Sequence, residues 1–337
     1  MNKRLRTIFQ YLFFFGLGVF LVWWSVNDLT ADDKSQIKQA LRTARYWLVF
    51  PVFIVLFSSH LVRALRWRLL MQSLGYHPSV ANALFAVMIG YLTNHVVPRL
   101  GEVVKCTMLA RYEKIPVDKL IGTIILERLI DAISLLFVFG ITLIIQPDIY
   151  SDLTEAVFNS KPDPSHKTVS SLAVMLIAAG IIILIIVFWM IRKKKNFSDL
   201  GSLLKKIGHR IWQGVSAIQH LQKRKQFIFL TILLWALYLS GGYLGFMAFR
   251  ETQGYGIREA FAVLSAGSIG MLATPGGIGA YSYLVEKTMI IYGLNTGIAT
   301  AFGLILWVAQ TSVILIGGLF SFVAMPFFNK RKQVEKN

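Results

Sequence analysis

Two short motifs place ionisable side chains inside otherwise apolar sequence. Arg99 and Glu102 lie in Pro98-Arg99-Leu100-Gly101-Glu102, and Glu127, Arg128 and Asp131 lie in Glu127-Arg128-Leu129-Ile130-Asp131. An arginine can form paired hydrogen bonds with a phosphate, and a carboxylate can balance an arginine or hold a cationic head group. On a helix Arg128 shares a face with Asp131, and so does Glu127. Charge at membrane depth points to function, although a neutralised cluster that only fixes helix packing has the same signature. Asn94 and His95, just ahead of the first motif, can complete hydrogen bonds there. A third stretch, Thr274-Pro275-Gly276-Gly277-Ile278-Gly279, carries no charge. Its glycines admit backbone conformations closed to other residues and bring amide groups and helix N-termini close to an anion such as phosphate. A tight turn required only by packing uses the same residues.

Enzymatic signatures are weak. The histidines His60, His77, His95, His166, His209 and His220 form no HExxH-like ligand pair, and no Walker A element is present. Ala266-Gly267-Ser268-Ile269-Gly270 misses the nucleophile elbow at its first position and lies in an apolar segment. The single cysteine, Cys106, excludes an internal disulfide, a Cys-rich zinc site and an iron–sulfur cluster. The expectation is a protein without catalytic residues, metal or cofactor.

These motifs need elements to hold them, and the composition says which solvent those elements face. Of 337 residues 55% are hydrophobic, and the mean hydropathy is +0.59. The apolar residues fall in blocks that match the roughly 20 residues a helix needs to cross a bilayer. Six blocks are long enough: Ile8–Val26, Tyr46–Leu65, Leu120–Gln146, Val169–Ile191, Phe227–Phe249 and Ile298–Val323. The first follows Lys3, Arg4 and Arg6 as a signal peptide would, but it is full length and lacks a small-residue cleavage pattern, so it reads as a retained span. The net charge of +18 sits in runs flanking the blocks and marks cytoplasmic loops rather than a nucleic-acid surface. The loop 192–226, strongly basic with Asp199 as its one acid, reads as cytoplasmic, whereas Asp148, Asp152, Glu155 and Asp163 put the segment from Pro147 to Lys167 outside. Arg63, Arg66 and Trp67, with Arg68, form a basic-aromatic end to the second span, the pattern of an interfacial anchor touching anionic lipid. Gly241 and Gly245 give a small-xxx-small pair suited to helix packing.

Two apolar stretches do not fit as simple spans: Ala81–Val97, ending at Pro98, and Ala260–Ala273, ending at Thr274-Pro275. If the first crossed, the basic segments on either side of it would face opposite compartments. A re-entrant hairpin keeps both inside, and irregular backbone at such depth must line a protein-enclosed cavity. The stretches also resemble each other, Phe85-Ala86-Val87 with Phe261-Ala262-Val263 and Leu100-Gly101 with Ile278-Gly279. The fold class read from this pattern is all-α integral membrane, with about six transmembrane helices and two re-entrant helical hairpins in an inverted repeat, or seven to eight by hydropathy alone. One polytopic domain spans 1–337, with repeat-like halves at about 46–146 and 227–323 and both termini cytoplasmic. Inverted repeats with broken helices at the midplane are the architecture of alternating-access carriers.

Arg66-Trp67, Asn94 through Glu102, Glu127-Arg128 with Asp131, and Pro275-Gly276-Gly277-Ile278-Gly279 together resemble the transmembrane domain of the lysylphosphatidylglycerol synthase/flippase family, from about residue 8 to 325. The resemblance implies a bacterial or archaeal plasma-membrane protein that translocates lipids along re-entrant helices. Only a short basic tail follows Phe328, so the soluble domain that transfers lysine from lysyl-tRNA in the synthases is not expected. The function expected is a flippase-like transporter of an anionic phospholipid or polyprenyl-linked head group. Its head-group site would comprise Asn94, Pro98, Arg99, Gly101, Glu102, Glu127, Arg128, Asp131, Pro275, Gly276, Gly277 and Gly279. The alternative is a membrane-embedded transferase, or an accessory subunit of a partner glycosyltransferase or synthase. The first hairpin is tested by single cysteines at Ser79 and Lys114 in a Cys106-free background: an impermeant thiol reagent should reach both from the same side.

Overall fold

The computed structural model describes Gly16, Trp23 and residues 30–97, 100–158 and 221–334, as helices joined by turns with no strand among them. Its helices are α1 (Ala31–Thr43), α2 (Val49–Gln72), α3 (Val80–Val96), α4 (Leu100–Glu113), α5 (Val117–Ile145), α6 (Ile149–Phe158), α7 (Arg224–Ala248), α8 (Ile257–Ala273), α9 (Ala280–Ile291) and α10 (Thr296–Val334). Among the described residues four stretches are long and apolar enough to cross a membrane: Phe50–Gln72, Val117–Ile145, Arg224–Ala248 and Thr296–Lys330. They coincide with four of the blocks read from hydropathy. The blocks Ile8–Val26, apart from Gly16 and Trp23, and Val169–Ile191 lie outside the described residues, as do the basic loop up to His220 and the two tip residues Pro98 and Arg99.

The chain forms two compact units, Met1–Glu127 with Leu221–Asn337, and Arg128–His220. In the second, the Tyr150 hydroxyl donates to the Phe139 carbonyl at 3.3 Å and the two rings meet edge-on. Burial, followed by repulsion from Asp148 and Glu155, raises the Asp152 carboxyl above its usual value.

In the first unit α2 lies along α7, α3 folds back on α4, α8 folds back on α9, and α10 packs against both α3 and α9. Helix lengths recur along the chain. The run α2 to α5 has 24, 17, 14 and 29 residues, and the run α7 to α10 has 25, 17, 12 and 39. Each hairpin starts from a cap: the Ser79 hydroxyl accepts the Asn82 amide at 3.2 Å, and the Gly256 amide donates to the Glu259 carboxylate at 2.7 Å.

Both hairpins close backbone to backbone over glycine. A Cβ at Gly90 would stand 2.9 Å from the Gly101 carbonyl oxygen, and one at Gly270 would stand 2.5 Å from Tyr281 Cα. Lipid supplies no hydrophobic drive between helices, so this close approach carries much of their association. Gly303 repeats the device against the Ser282 carbonyl, and Gly245 lies against Phe302 and Leu306. Around them Phe246 stacks on Phe302, both fully buried, with centroids 5.4 Å apart.

Polar links fasten the ends. Asn82 and Asn329 exchange amide hydrogen bonds at 2.9 and 2.8 Å, tying the start of α3 to the last turns of α10. Glu113, ending α4, accepts from the Asn82 side chain at 2.6 Å and from the Ser79 amide and hydroxyl. At the start of α1, Thr30 and Asp33 form a capping box. Hydrogen bonds from the Thr30 hydroxyl and amide, with one from the Gly297 amide, hold the Asp33 carboxyl below the usual carboxylate value.

Substituting Gly270 by leucine should lower thermal stability in detergent, by the roughly 1–3 kcal/mol that overpacking costs. The same change at Gly254, which has nothing within 4 Å of a built Cβ, should have a far smaller effect in the same melting series.

Candidate functional site

At the centre of the first unit one carboxylate meets three cations. Glu127, 1% exposed, accepts from Arg63 Nη1 at 3.1 Å and from Lys105 Nζ at 2.9 Å, and Arg66 Nη2 stands 3.7 Å away. Helix spacing explains the convergence. Arg63 and Arg66 are three apart on α2, which puts both on the face turned toward α5, and Lys105 reaches in from α4 one turn beyond Gly101. The contact of Gly101 with Gly90 sets how closely α4 approaches α3 and therefore where Lys105 stands.

Aromatic groups line the cluster. The Lys105 ammonium sits 3.9 Å from the Trp67 ring centroid, Arg66 lies over Phe227 at 5.8 Å and Arg63 over Tyr91 at 5.9 Å. These contacts suit cations withdrawn from water. Trp67, fully buried, donates its indole N–H to the Thr123 hydroxyl at 2.9 Å, and Arg63 Nη2 donates to the Tyr238 hydroxyl at 2.8 Å.

Arg63, Arg66 and Trp67 are therefore corrected from interfacial lipid contacts to interior residues. From α2 alone, two arginines beside a tryptophan near a helix end look like an anchor; the carboxylate that draws them inward comes from a distant part of the chain. Lys105 belongs to the cluster and sequence reasoning missed it. Its signal was a lone lysine in the apolar run Val103-Val104-Lys105-Cys106, four residues past the tip glycine.

The two hairpin tips form a second polar region. Asn94 accepts the Gly101 amide at 2.8 Å, joining the ends of α3 and α4. Gly276, Gly277 and Gly279 all have positive φ, at 63°, 70° and 72°, so the turn after Pro275 depends on glycine. The Gly276 carbonyl accepts from the Trp307 indole at 3.0 Å, and the Thr274 hydroxyl donates to the Ile278 carbonyl at 2.9 Å. His95 touches this turn: a Cβ on Gly276 would lie 2.8 Å from its imidazole Cδ2. Two stretches 181 residues apart in sequence thus meet at His95 and Gly276.

Of the remaining expected residues, Glu102 is half-buried on α4, while Arg128 is exposed and Asp131 half-buried in the second unit. Pro98 and Arg99 lie outside the described residues. No group of three or more His, Cys, Asp or Glu side chains able to hold a metal occurs among the described residues. A cluster of two guanidinium groups and an ammonium is suited to holding phosphate oxygens, the guanidinium fork in pairs and the ammonium as a point charge.

Residues 9–318 match the family described as lysylphosphatidylglycerol synthase TM region. Similar curated proteins include a UPF0104 membrane protein of Methanocaldococcus jannaschii, 26% identical over 104 residues, or 30% of this chain and 31% of the relative. Another, from Methanothermobacter thermautotrophicus, is 22% identical over 285 residues, 79% of this chain and 80% of the relative. The chain thus aligns with under a third of the first relative's length and four fifths of the second's. No solved structure matches it significantly.

Replacing Glu127 by alanine leaves three cations facing one another in a dry interior. Removing one member of a buried ion pair costs about 3–5 kcal/mol, so the variant should show a correspondingly large loss of stability in detergent unfolding, with Glu127→Gln falling between it and wild type.

Proposed function

The chain belongs to the lysylphosphatidylglycerol synthase TM region family, and from that premise we propose that it is a flippase-like transporter of an anionic phospholipid or lipid-linked head group. The observation that carries the reading is the convergence of Arg63, Arg66 and Lys105 on Glu127, among helices of which three are long and apolar enough to cross a bilayer. Buried charge of this density is expensive, and a transported anion gives it a use.

In this reading the prokaryotic plasma membrane holds six spans, with α3–α4 and α8–α9 as re-entrant hairpins of opposite orientation and both termini in the cytoplasm. The repeat halves are about 46–146 and 227–323. The recurring helix lengths and the meeting of the tips at His95 and Gly276 support an inverted repeat, the arrangement in which two halves rock about a shared site. A phosphate entering the cluster takes over hydrogen bonds that Arg63 and Lys105 give to Glu127. When it leaves, Glu127 reclaims them, so the cations are satisfied in both states and the empty carrier can reset. Arg99 is carried over from the sequence reading as a further phosphate contact.

The test is reconstitution into vesicles with fluorescent phospholipid and an impermeant quencher added outside. Wild-type protein should expose inner-leaflet lipid, and Lys105→Ala combined with Arg63→Ala should slow this by about tenfold or more, a loss of one charge-assisted hydrogen bond or more. Full activity in a correctly inserted double variant would remove the cluster from the pathway. Absence of any transport by wild type would favour an accessory subunit of a lipid-modifying or glycosyl-transfer enzyme.

A further inference from the structure

We infer that the head group carried by this protein presents a hydroxyl group, received by His95 Nε2 where the two hairpin tips meet. The inference rests on the transporter reading and adds to it the chemistry of the cargo. His95 Nδ1 lies 3.1 Å from the Tyr91 carbonyl oxygen. A carbonyl can only accept, so Nδ1 carries the proton, and in a neutral imidazole Nε2 keeps its lone pair and is an acceptor.

That Nε2 is buried and has no hydrogen-bond partner among the described residues. A Cβ on Gly276 would stand 3.0 Å from Nε2, so the ring edge fills the space left by the missing side chain. The Gly276 carbonyl is an acceptor and already takes the Trp307 indole proton, and the Tyr281 hydroxyl accepts from Gln310 Nε2 at 2.7 Å. The tips therefore hold a buried acceptor that no donor among the described residues reaches. Such an arrangement is unfavourable, and it is relieved when the tips part and a donor takes the place of Gly276.

In the transporter reading that donor comes from the cargo, and phosphate diester oxygens only accept. Between a hydroxyl and an ammonium the neighbouring charges decide. Tyr91, whose carbonyl orients His95, carries the Arg63 guanidinium over its own ring, and the His60 ring packs on it at 5.1 Å. An ammonium bound at His95 would meet the repulsion of Arg63 and its cationic neighbours, whereas a neutral hydroxyl would not. One head group would thus be read in two places, its phosphate by the cluster on Glu127 and its hydroxyl at the tips, with Tyr91 linking the two.

The experiment compares acyl-chain-labelled lipids in the same vesicles: phosphatidylglycerol and phosphatidylinositol, which carry hydroxyls on a glycerol or a ring, phosphatidylmethanol, which has the same charge and none, and phosphatidylethanolamine, which carries an ammonium. Wild-type protein should translocate one or both hydroxyl lipids about tenfold faster than phosphatidylmethanol, and the faster of the two names the source of the hydroxyl. His95→Phe should abolish the difference, and His95→Gln, which keeps an acceptor, should retain most of it. Equal wild-type rates for phosphatidylmethanol and the hydroxyl lipids, or fastest movement of phosphatidylethanolamine, would overturn the inference and leave the phosphate reading standing. Movement of none of the lipids would overturn both.

Discussion

A carboxylate withdrawn from water must find positive partners or give up its charge, and the interior of this protein is organised around one that has found three. Glu127 draws an arginine pair from α2 and a lysine from α4 onto one point of α5. None of those helices could shift by a turn without leaving a cation facing hydrocarbon or another cation. Apolar surface tolerates such sliding, because one leucine facing lipid is much like the next, whereas a buried ionic contact has one register. The greasy helices provide the mass of the first unit, and the ionic cluster fixes how α2, α4 and α5 align.

The glycines play the complementary part. Gly90 against Gly101, and Gly270 against Tyr281, let each hairpin close tightly enough for its short second helix to be held by its longer first. The positive φ angles after Pro275 then turn the second tip within a few residues, so that it meets the first at His95. Packing, turn geometry and charge are thus met by different residue types at different positions, and each helical hairpin combines them.

What could be read in advance follows from how local the signal is. The four described spans were legible because hydropathy sums over some twenty consecutive residues, and the hairpin ends because proline and glycine interrupt a helix wherever they stand. Glu127 was legible as a charge in an apolar run, and Gly276, Gly277 and Gly279 as residues the turn requires. The direction in which Arg63, Arg66 and Trp67 point was not, since a helix end rich in arginine and tryptophan looks alike whether it faces a lipid phosphate or a buried glutamate. Lys105 was missed for the same reason: one lysine among valines gives no periodicity, and only the contact between Gly90 and Gly101 brings it to Glu127. The approach of His95 to Gly276 joins parts of the chain that no local pattern connects.

The amide pair between Asn82 and Asn329 bears on how such a chain can change over generations. Each side chain supplies what the other lacks, and Glu113 occupies a further donor of Asn82. A drift at either position alone strands an amide in a buried place, whereas exchange of both for well-matched apolar residues leaves only Glu113 to be re-satisfied. The two sites, 247 residues apart, are therefore bound to a common history: sequences descended from this one should alter them jointly or keep them both, however freely the loops between them diverge.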